Sequence, residues 1–383
     1  MKIKIIGSGF AGLSSALYLS RNPSNFITIY DKFNRVQSVG AGILIQPSSM
    51  EVLRKLNLYD DLLKRGEKIY NLVGINHGDR QVFLTSYNDY ATQCFGVGIH
   101  RSTLFQLLYD QCKTKANIEF KLEREITSLE DQSLFSDLLI VANGSHSCLR
   151  EQIPIKQSYR LYPYGCLWTT IEEEYTVPNT LYQYLKYSRE MLGMLPSGVD
   201  DHGKRIISVF WSLPVTSRNT YTKEEILKDM KFHLRHQKPE LIEKLSQANY
   251  SFAVYADVYM KKYDHKNIVF IGDAAHGMSP QLGQGANMAL LDSYFLNKVL
   301  TESDNNVELA LPKYTSIRSP HIKFYGQASK FLTPLYQSDQ QLYGRFRDIF
   351  FSIAKYMQFS RNISSQILCG KKTSWIRNKE IEY

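Results

Sequence analysis

The sequence contains no apolar run near the ~18 residues that a membrane-spanning helix needs. It has no low-complexity tract and no internal repeat, and basic and aromatic residues do not interleave in a nucleic-acid motif. Its five cysteines, Cys94, Cys112, Cys148, Cys166 and Cys369, show no C-x-x-C spacing. That argues against a disulfide framework or a zinc site and predicts a reducing, cytoplasmic setting. No Ser/His/Asp set stands at a nucleophile elbow, and no metal-ligand cluster is present. The first strand starts at Lys2 and leaves no room for a signal peptide, so the expectation is cytoplasmic. Together these absences set aside a spanning membrane protein, a secreted disulfide scaffold, a metalloenzyme and a nucleic-acid binder.

The chain has 383 residues, 43% of them hydrophobic, enough for about two to three domains and a large core. The formal net charge of +9 suits solubility, an anionic substrate or an acidic membrane surface.

The N-terminus carries the strongest signal. Lys2 to Ile6 reads as a strand, Gly7-Ser8-Gly9-Phe10-Ala11-Gly12 as a glycine-rich turn, and Leu13 to Leu19 as a helix. The first glycine permits the tight turn, the second lets backbone approach a pyrophosphate, and the third lets helix pack on strand. The helix N-terminus offers free N–H groups to phosphates. A second strand, Phe26 to Tyr30, ends at Asp31, where a ribose-binding carboxylate is expected. This predicts a Rossmann-like dinucleotide site.

Further on, Lys32 to Val39 reads as a loop, and Gly40-Ala41-Gly42 as a second close approach of backbone to ligand, ending near Gln46 and Pro47. Ser48-Ser49-Met50-Glu51 has capping-box spacing. Gly78-Asp79-Arg80 marks a hairpin turn between Leu72–Asn76 and Val82–Ser86. A helix is expected over 102–112 and a buried strand over 137–142. Aromatic-rich alternating segments between Tyr159 and Trp211 predict one antiparallel sheet, followed by a charged helical region over 223–245. A strand over 267–271 ends in Gly272-Asp273 and leads through a loop into a helix over 286–300. Near the C-terminus, Leu342, Phe346, Ile349, Phe350, Ile353 and Met357 fall on one helical stripe.

Three separated motifs now align: the N-terminal fingerprint; Ala142-Asn143-Gly144-Ser145-His146-Ser147-Cys148-Leu149-Arg150; and Gly272-Asp273-Ala274-Ala275-His276 through Pro280 to Gly283-Gln284-Gly285. In order and separation they resemble the FAD-dependent aromatic hydroxylase family, the single-component flavoprotein monooxygenases of the p-hydroxybenzoate and salicylate hydroxylase type. The resemblance spans roughly residues 1 to 330. It implies an α/β fold in which a Rossmann-like FAD-binding domain (1–69, 95–155 and 262–330) is interleaved with a substrate domain on an antiparallel sheet (70–94 and 156–261). C-terminal helices (331–383) follow.

The resemblance also implies FAD, held by Gly7, Gly9, Phe10, Ala11, Gly12, Asp31, Arg101, Asp273, Gly283, Gln284, Gly285, Ala286 and Asn287. Gln46 and Pro280 would lie near the isoalloxazine ring. His100 and His276 are read as structural. Asp273 as a helix cap and Arg101 as a salt-bridge partner are the plainer alternatives. The implied reaction uses NADPH or NADH and O2 to hydroxylate a small, aromatic molecule through a flavin C4a-hydroperoxide. No catalytic base is identified. Strand alternation suggests Tyr182, Tyr184, Phe210 and Ser212 as substrate contacts.

The chain departs from the family's D-G-x-x-S-x-x-R pattern by carrying Asn143 in place of Asp, which adds donors and removes a charge. Two other readings therefore stay open. One is another flavin oxidoreductase, reductase- or halogenase-like, although no Trp-x-Trp-x-Ile-Pro signature surrounds Trp168 or Trp211. The other is a flavin-binding protein that has lost hydroxylation. The expected partner is a small-molecule substrate, and the expected assembly a monomer or homodimer. Between Arg345 and Lys379 stand eight Lys/Arg and one acid, Asp348. This region either packs back on the FAD domain with a solvated basic face, the favoured reading, or makes a peripheral contact with an anionic membrane.

Overall fold

A computed structural model describes residues 1–34, 40–173, 178–218, 222–235, 239–375 and 380–382. Part of the Lys32–Val39 loop, residues 236–238 of the 223–245 helical region, and the basic residues Arg377 and Lys379 lie outside the described residues.

Two sheets organise the chain. The first runs Asp264–His265, Ile268–Phe270, Leu138–Val141, Lys2–Ile6, Phe26–Tyr30, Ile118–Lys121, with every neighbouring pair parallel except the first. Leu138–Val141 is an unbroken run of leucine, isoleucine and valine, as expected for a strand buried on both faces, and the buried Lys4 of the neighbouring strand donates to Thr28 Oγ1 at 2.8 Å. Lys2–Ile6 has Phe26–Tyr30 on one side and Leu138–Val141 on the other. Strand order therefore reverses about it, and the crevice at the carboxyl ends of these strands is where such sheets bind ligands. The helix Phe10–Leu19 leaves the first strand and is buried at all ten residues. It packs between the helices Arg101–Lys113 and Gly285–Thr301.

The second sheet has seven strands in the order Ser251–Met260, Gln157–Glu172, Arg205–Pro214, Glu190–Val199, Thr180–Lys186, Asn71–Asn76, Gln81–Ser86. It is antiparallel except that Thr180–Lys186 runs parallel to Asn71–Asn76, which corrects the wholly antiparallel expectation. The hairpin turn falls where expected, with Asp79 in the left-handed region at φ 59°. One face is covered by the helices Lys223–His233 and Pro239–Gln247, whose Ile226, Met230, Leu241 and Leu245 meet Val209 and Trp211. A three-stranded sheet, Gly42–Ile45, Gly96–His100 and Glu67–Ile69, stands between the two large ones.

Two expectations fail for identifiable reasons. The capping box at Ser48–Glu51 does not form. The helix Pro47–Lys55 has Gln46 as N-cap with no side-chain cap, because Pro47 opens the helix and the Ser48 N–H instead donates to the Cys369 carbonyl at 3.2 Å. The C-terminal stripe also faces the wrong way for a packed helix. Helix Gln341–Ala354 buries Gly344, Arg347 and Ala354, while Leu342, Phe346 and Ile349 are 73%, 56% and 65% exposed. Arg347 is held inside by Asp348 and by the Leu335 carbonyl, and Gly344 sits where a Cβ would strike the backbone of Tyr187 at 2.3 Å. The helix does pack back, against Gln81–Ser86 and Val307–Tyr336, but the face it leaves outward is apolar and not the solvated basic face expected. The long helix Val307–Tyr336 runs through residue 330, the expected domain edge. Among the described residues, no helix is long and apolar enough to cross a membrane.

Candidate active site

The fingerprint turn is sterically specified. A Cβ on Gly7, at φ +104°, would lie 2.4 Å from the Ala142 carbonyl oxygen, and one on Gly12 would lie 2.0 Å from that of Gly7. A Cβ on Gly9 would meet nothing within 4 Å. The outer two glycines are therefore filled in by the protein's own backbone, and the middle one borders open space. The Asp31 carboxylate stands beside this turn and accepts from the Ser8 backbone N–H at 2.8 Å and the Ser8 hydroxyl at 2.5 Å. Its other oxygen accepts from the Phe33 N–H. Arg101 opens the Arg101–Lys113 helix, with its guanidinium 5.3 Å from the Phe10 ring centroid and its stem against Gly40. It joins no salt bridge among the described residues.

The second motif is a clamp. Arg150 is almost fully buried and donates to the carbonyls of Ser145 at 2.5 Å and Ala274 at 3.0 Å, tying the Asn143–Gly144 loop to the Gly272–Asp273 loop. Asn143 follows the Leu138–Val141 strand. Its Oδ1 is buried without a partner.

The third motif rests on a buried ionic network that sequence reasoning missed. Asp292 accepts from the Gly272 N–H at 2.7 Å, from His276 Nε2 at 2.6 Å and from Arg318 Nε at 2.8 Å. Arg318 Nη1 lies 2.7 Å from His321 Nδ1, and His321 Nε2 lies 3.0 Å from the Gly370 carbonyl. Burial alone would raise the Asp292 carboxyl, but the adjacent His276 and Arg318 more than offset it and hold it well below the usual range. Burial, then the Arg318 charge, push His321 well below its ordinary value. The neutral ring then accepts from Arg318 at Nδ1 and donates to Gly370 at Nε2. His276 is structural, as expected. Asp273 is exposed and is not the cap of its short helix, where Gly272 takes that position.

Opposite Asp273, Pro280–Leu282 and a left-handed Gly283 lead into the Gly285–Thr301 helix, which carries no acid in its first turn. A Cβ on Gly283 would meet nothing within 4 Å, and one on Gly285 only Asp273 Oδ1 at 3.9 Å. Asn287 braces the loops: its Oδ1 accepts from the Gln46 N–H at 2.9 Å, and its Nδ2 donates to the Leu44 and Gly283 carbonyls. Gln46 is fully buried; its Oε1 accepts from Tyr87, and its Nε2 has no partner. Gln281 Nε2 and Gln284 Oε1 are likewise buried and unpartnered. Behind these loops runs the segment Ile367–Gly370. Gln284 Nε2 donates to the Leu368 carbonyl at 3.1 Å, and Tyr325 to that of Ile367 at 2.8 Å. A Cβ on Gly370 would lie 2.3 Å from Ser48 Oγ.

The four substrate candidates do not share a face. Tyr182 lies opposite Met194 and Tyr184 opposite Leu192, on the face that Trp211 and the two helices fill. Their rings stack at 6.4 Å and contribute to packing there. Phe210 lies opposite Trp168 and Gly193, and Ser212 opposite Cys166. This second face packs toward Leu44, Tyr87 and Leu368, beside Gln46. Ser212 accepts from Gln337 Nε2 at 2.8 Å. Gln183 lies opposite Gly193 and so belongs to this inner face, which alternation counted from sequence gave no means to assign. A cleft of about 710 Å³ opens beside it, lined by Gly40, His100, Trp168, Thr170 and Lys244 among others.

These residues fit FAD. Open space runs past Gly9, Gly144, Gly283 and Gly285. Unpartnered buried polar atoms of Gln46, Asn143, Gln281 and Gln284 lie in the same loops. Buried polar atoms are normally paired, so such a cluster is what a removed polar ligand leaves.

The comparisons agree. A family model described as FAD binding domain matches residues 89–328. The FAD-dependent monooxygenase penM of Penicillium crustosum is 26% identical, over 89% of this chain and 81% of its own length. The 3-hydroxybenzoate 6-hydroxylase of Klebsiella oxytoca is 23% identical, over 84% of this chain and 85% of its own. The solved structure of Klebsiella pneumoniae HpxO, complexed with FAD and uric acid, superposes with a TM-score of 0.79 at 17% identity, covering 97% of each chain.

Proposed function

The chain belongs to the FAD-dependent aromatic hydroxylase family and is an FAD-dependent monooxygenase; we propose that it hydroxylates a small aromatic molecule at the expense of NADPH or NADH and O2. When bound, the flavin would supply the redox chemistry, taking up reducing equivalents from the nicotinamide and activating dioxygen. The observation that carries the reading is the inner face of the seven-stranded sheet. Phe210, Trp168 and Gln183 share it with Ser212, turned toward the loops that carry Gln46 and Gly283.

The chain's own residues have positioning roles. Phe210 and Trp168 offer flat apolar walls for an aromatic ring, and Gln183 and Ser212 give few, oriented polar contacts. Gly7, Gly9, Phe10, Ala11 and Gly12 would hold the pyrophosphate, Asp31 the ribose, Arg101 the phosphate side, and Asp273 the ribityl hydroxyls. The N-terminus of Gly285–Thr301, with Ala286 and Asn287, would face the pyrimidine edge and favour negative charge there. Pro280 and Gln46 would flank the ring. The cleft at Gly40 and His100 would admit the nicotinamide. Gln46 and Ser212, both buried, close the floor of this face and would keep bulk water from a bound ring.

The test is an absorption spectrum of the purified protein, then NADPH or NADH under air with a panel of aromatic compounds. Two flavin bands and ligand-stimulated nicotinamide oxidation with a hydroxylated product are expected. Bound flavin with neither nicotinamide consumed, restored by Asn143→Asp, would instead favour a protein that has lost hydroxylation.

A second reading concerns where the enzyme works. Helix Gln341–Ala354 displays Leu342, Phe346, Ile349, Phe350 and Ile353, and Tyr356, Met357 and Phe359 continue the exposed patch. Across 341–366 the sole acid is Asp348, which is spent on Arg347 and Asn76. Exposed Arg345 stands within the stripe. We propose that this face lies on an anionic bilayer. Co-sedimentation with phosphatidylserine vesicles, weakened by salt and lost in Phe346→Glu/Ile349→Glu, is expected. Absence of binding, with self-association that the same double variant abolishes, would assign the face to a second copy.

A further inference from the structure

Cys94 and Cys369 are 275 positions apart in sequence, yet their Sγ atoms lie 4.0 Å apart. Cys94 is half-buried in the turn that follows Tyr87–Asp89, at the edge of the substrate-side sheet. Cys369 is buried at the C-cap of Gln358–Leu368 and belongs to the segment behind the flavin loops. The remaining cysteines have no such neighbour. Cys112 and Cys166 are each pushed up to about 12 by burial, and Cys148 is exposed.

The surroundings distinguish the two roles in the pair. The hydrogen bond from Cys369 lowers the Cys94 thiol despite its partial burial, and Lys371 lowers it further. The hydrogen bond to Cys94, then burial, raise Cys369. Cys94 is thus the thiol closer to its nucleophilic form and the one nearer solvent, and Cys369 is placed to resolve it. A disulfide needs about 2.05 Å between sulfurs, so the two Sγ atoms have about 2 Å to close.

We propose that Cys94 and Cys369 are a peroxide-responsive thiol pair whose disulfide pins the Ile367–Gly370 segment against the flavin loops. The Cys94 thiolate attacks one oxygen of hydrogen peroxide, forming a sulfenic acid and releasing hydroxide, which leaves as water. The Cys369 sulfur then attacks the sulfenic sulfur, its proton leaving with the departing hydroxyl as a second water. Two thiols and one peroxide give one disulfide and two waters; peroxide gains the two electrons that the sulfurs lose.

The pinned segment contacts both walls of the site. The Leu368 carbonyl holds Gln284, the Cys369 carbonyl holds the Ser48 N–H, and the Gly370 carbonyl holds His321. Linking it to Cys94 stops the segment lifting and so holds the Gln46–Ser48 and Gly283–Gln284 loops in place. The effect on flavin release rests on the FAD reading above; the linkage itself does not.

The test treats the full-length holoprotein with equimolar hydrogen peroxide. Mass spectrometry without reductant should show a linked peptide pair containing Cys94 and Cys369, reversed by dithiothreitol. FAD release after dilution, followed by fluorescence, should slow about tenfold, which corresponds to about 1.4 kcal/mol in barrier. Cys94→Ser should show neither response; if that variant folds poorly, Cys369→Ala serves. Free, alkylatable Cys94 and Cys369 after Cys148 has been oxidised would overturn the proposal. A linkage that leaves FAD release unchanged would overturn the pin. Should no flavin bind at all, the linkage is still read on the apoprotein as a rise in Tm absent from Cys94→Ser.

Discussion

Two helices of this molecule treat their apolar residues in opposite ways. Phe10–Leu19 buries all ten of its residues. Gln341–Ala354 buries glycine, arginine and alanine and displays leucine, phenylalanine and isoleucine. The difference lies in what each must fit against. The first helix passes a crowded crevice where Gly12 touches the Gly7 carbonyl and neighbours close on every side. The second docks through Gly344 and Arg347, whose partners are backbone groups and Asp348, and the apolar side is left over. Apolar residues are buried only where the fold supplies a complement, and this face has none among the described residues.

Breaking the packed side should have the largest effect. Gly12→Val places branched carbon against a backbone oxygen that has no room to move. A loss of at least ~3 kcal/mol is expected, read as a lower urea midpoint with no flavin absorbance in the purified protein. Arg318→Met removes one of the three partners of the buried Asp292 carboxylate and leaves its Oδ1 without its donor. About 3–5 kcal/mol should be lost, and Asp292→Asn in the same background should recover part of it.

The same network gives an acid limb. His321 is held below its unfolded value near about 6.5, so the unfolded chain takes up a proton first and stability falls as pH drops below that value. Asp292, also depressed, adds a second loss of the same sign below about pH 4. Thermal melts from pH 8 to 4 should show Tm falling through the first window, and His321→Gln should flatten it there.

The displayed side should be nearly silent in stability. Phe346→Glu/Ile349→Glu should change it by no more than about 0.5 kcal/mol per site, while vesicle co-sedimentation disappears. A large loss of Tm would mean the face is packed after all.

What could be read from sequence follows the same division. The fingerprint, the Asn143–Arg150 motif and the Gly272–Asn287 stretch are local patterns in which each residue's reason lies within a few positions, and the structure sets them around one crevice. The substrate strands were legible as strands, but the facing of Tyr182 and Tyr184 depends on register, and a shift of one residue reverses it. The Asp292–Arg318–His321 network and the Cys94–Cys369 pair join segments far apart in the chain, so no local pattern announces them. The failed cap at Ser48 has the same origin, since its N–H was taken by a carbonyl more than three hundred residues away.

The interleaving of the two large sheets has a further consequence during synthesis. Leu138–Val141 has its partner Lys2–Ile6 already synthesised when it emerges, but its other edge waits for Ile268–Phe270. The intervening residues supply most of the other sheet. At roughly 5–20 residues per second on the ribosome, a buried-type strand edge stands open for about 6–25 seconds. Such an edge is a template for pairing with another nascent chain. The protein should therefore depend on chaperones, or on rapid elongation through residue 270, for its yield of folded chains, even though Ile268–Phe270 covers that edge in the finished fold.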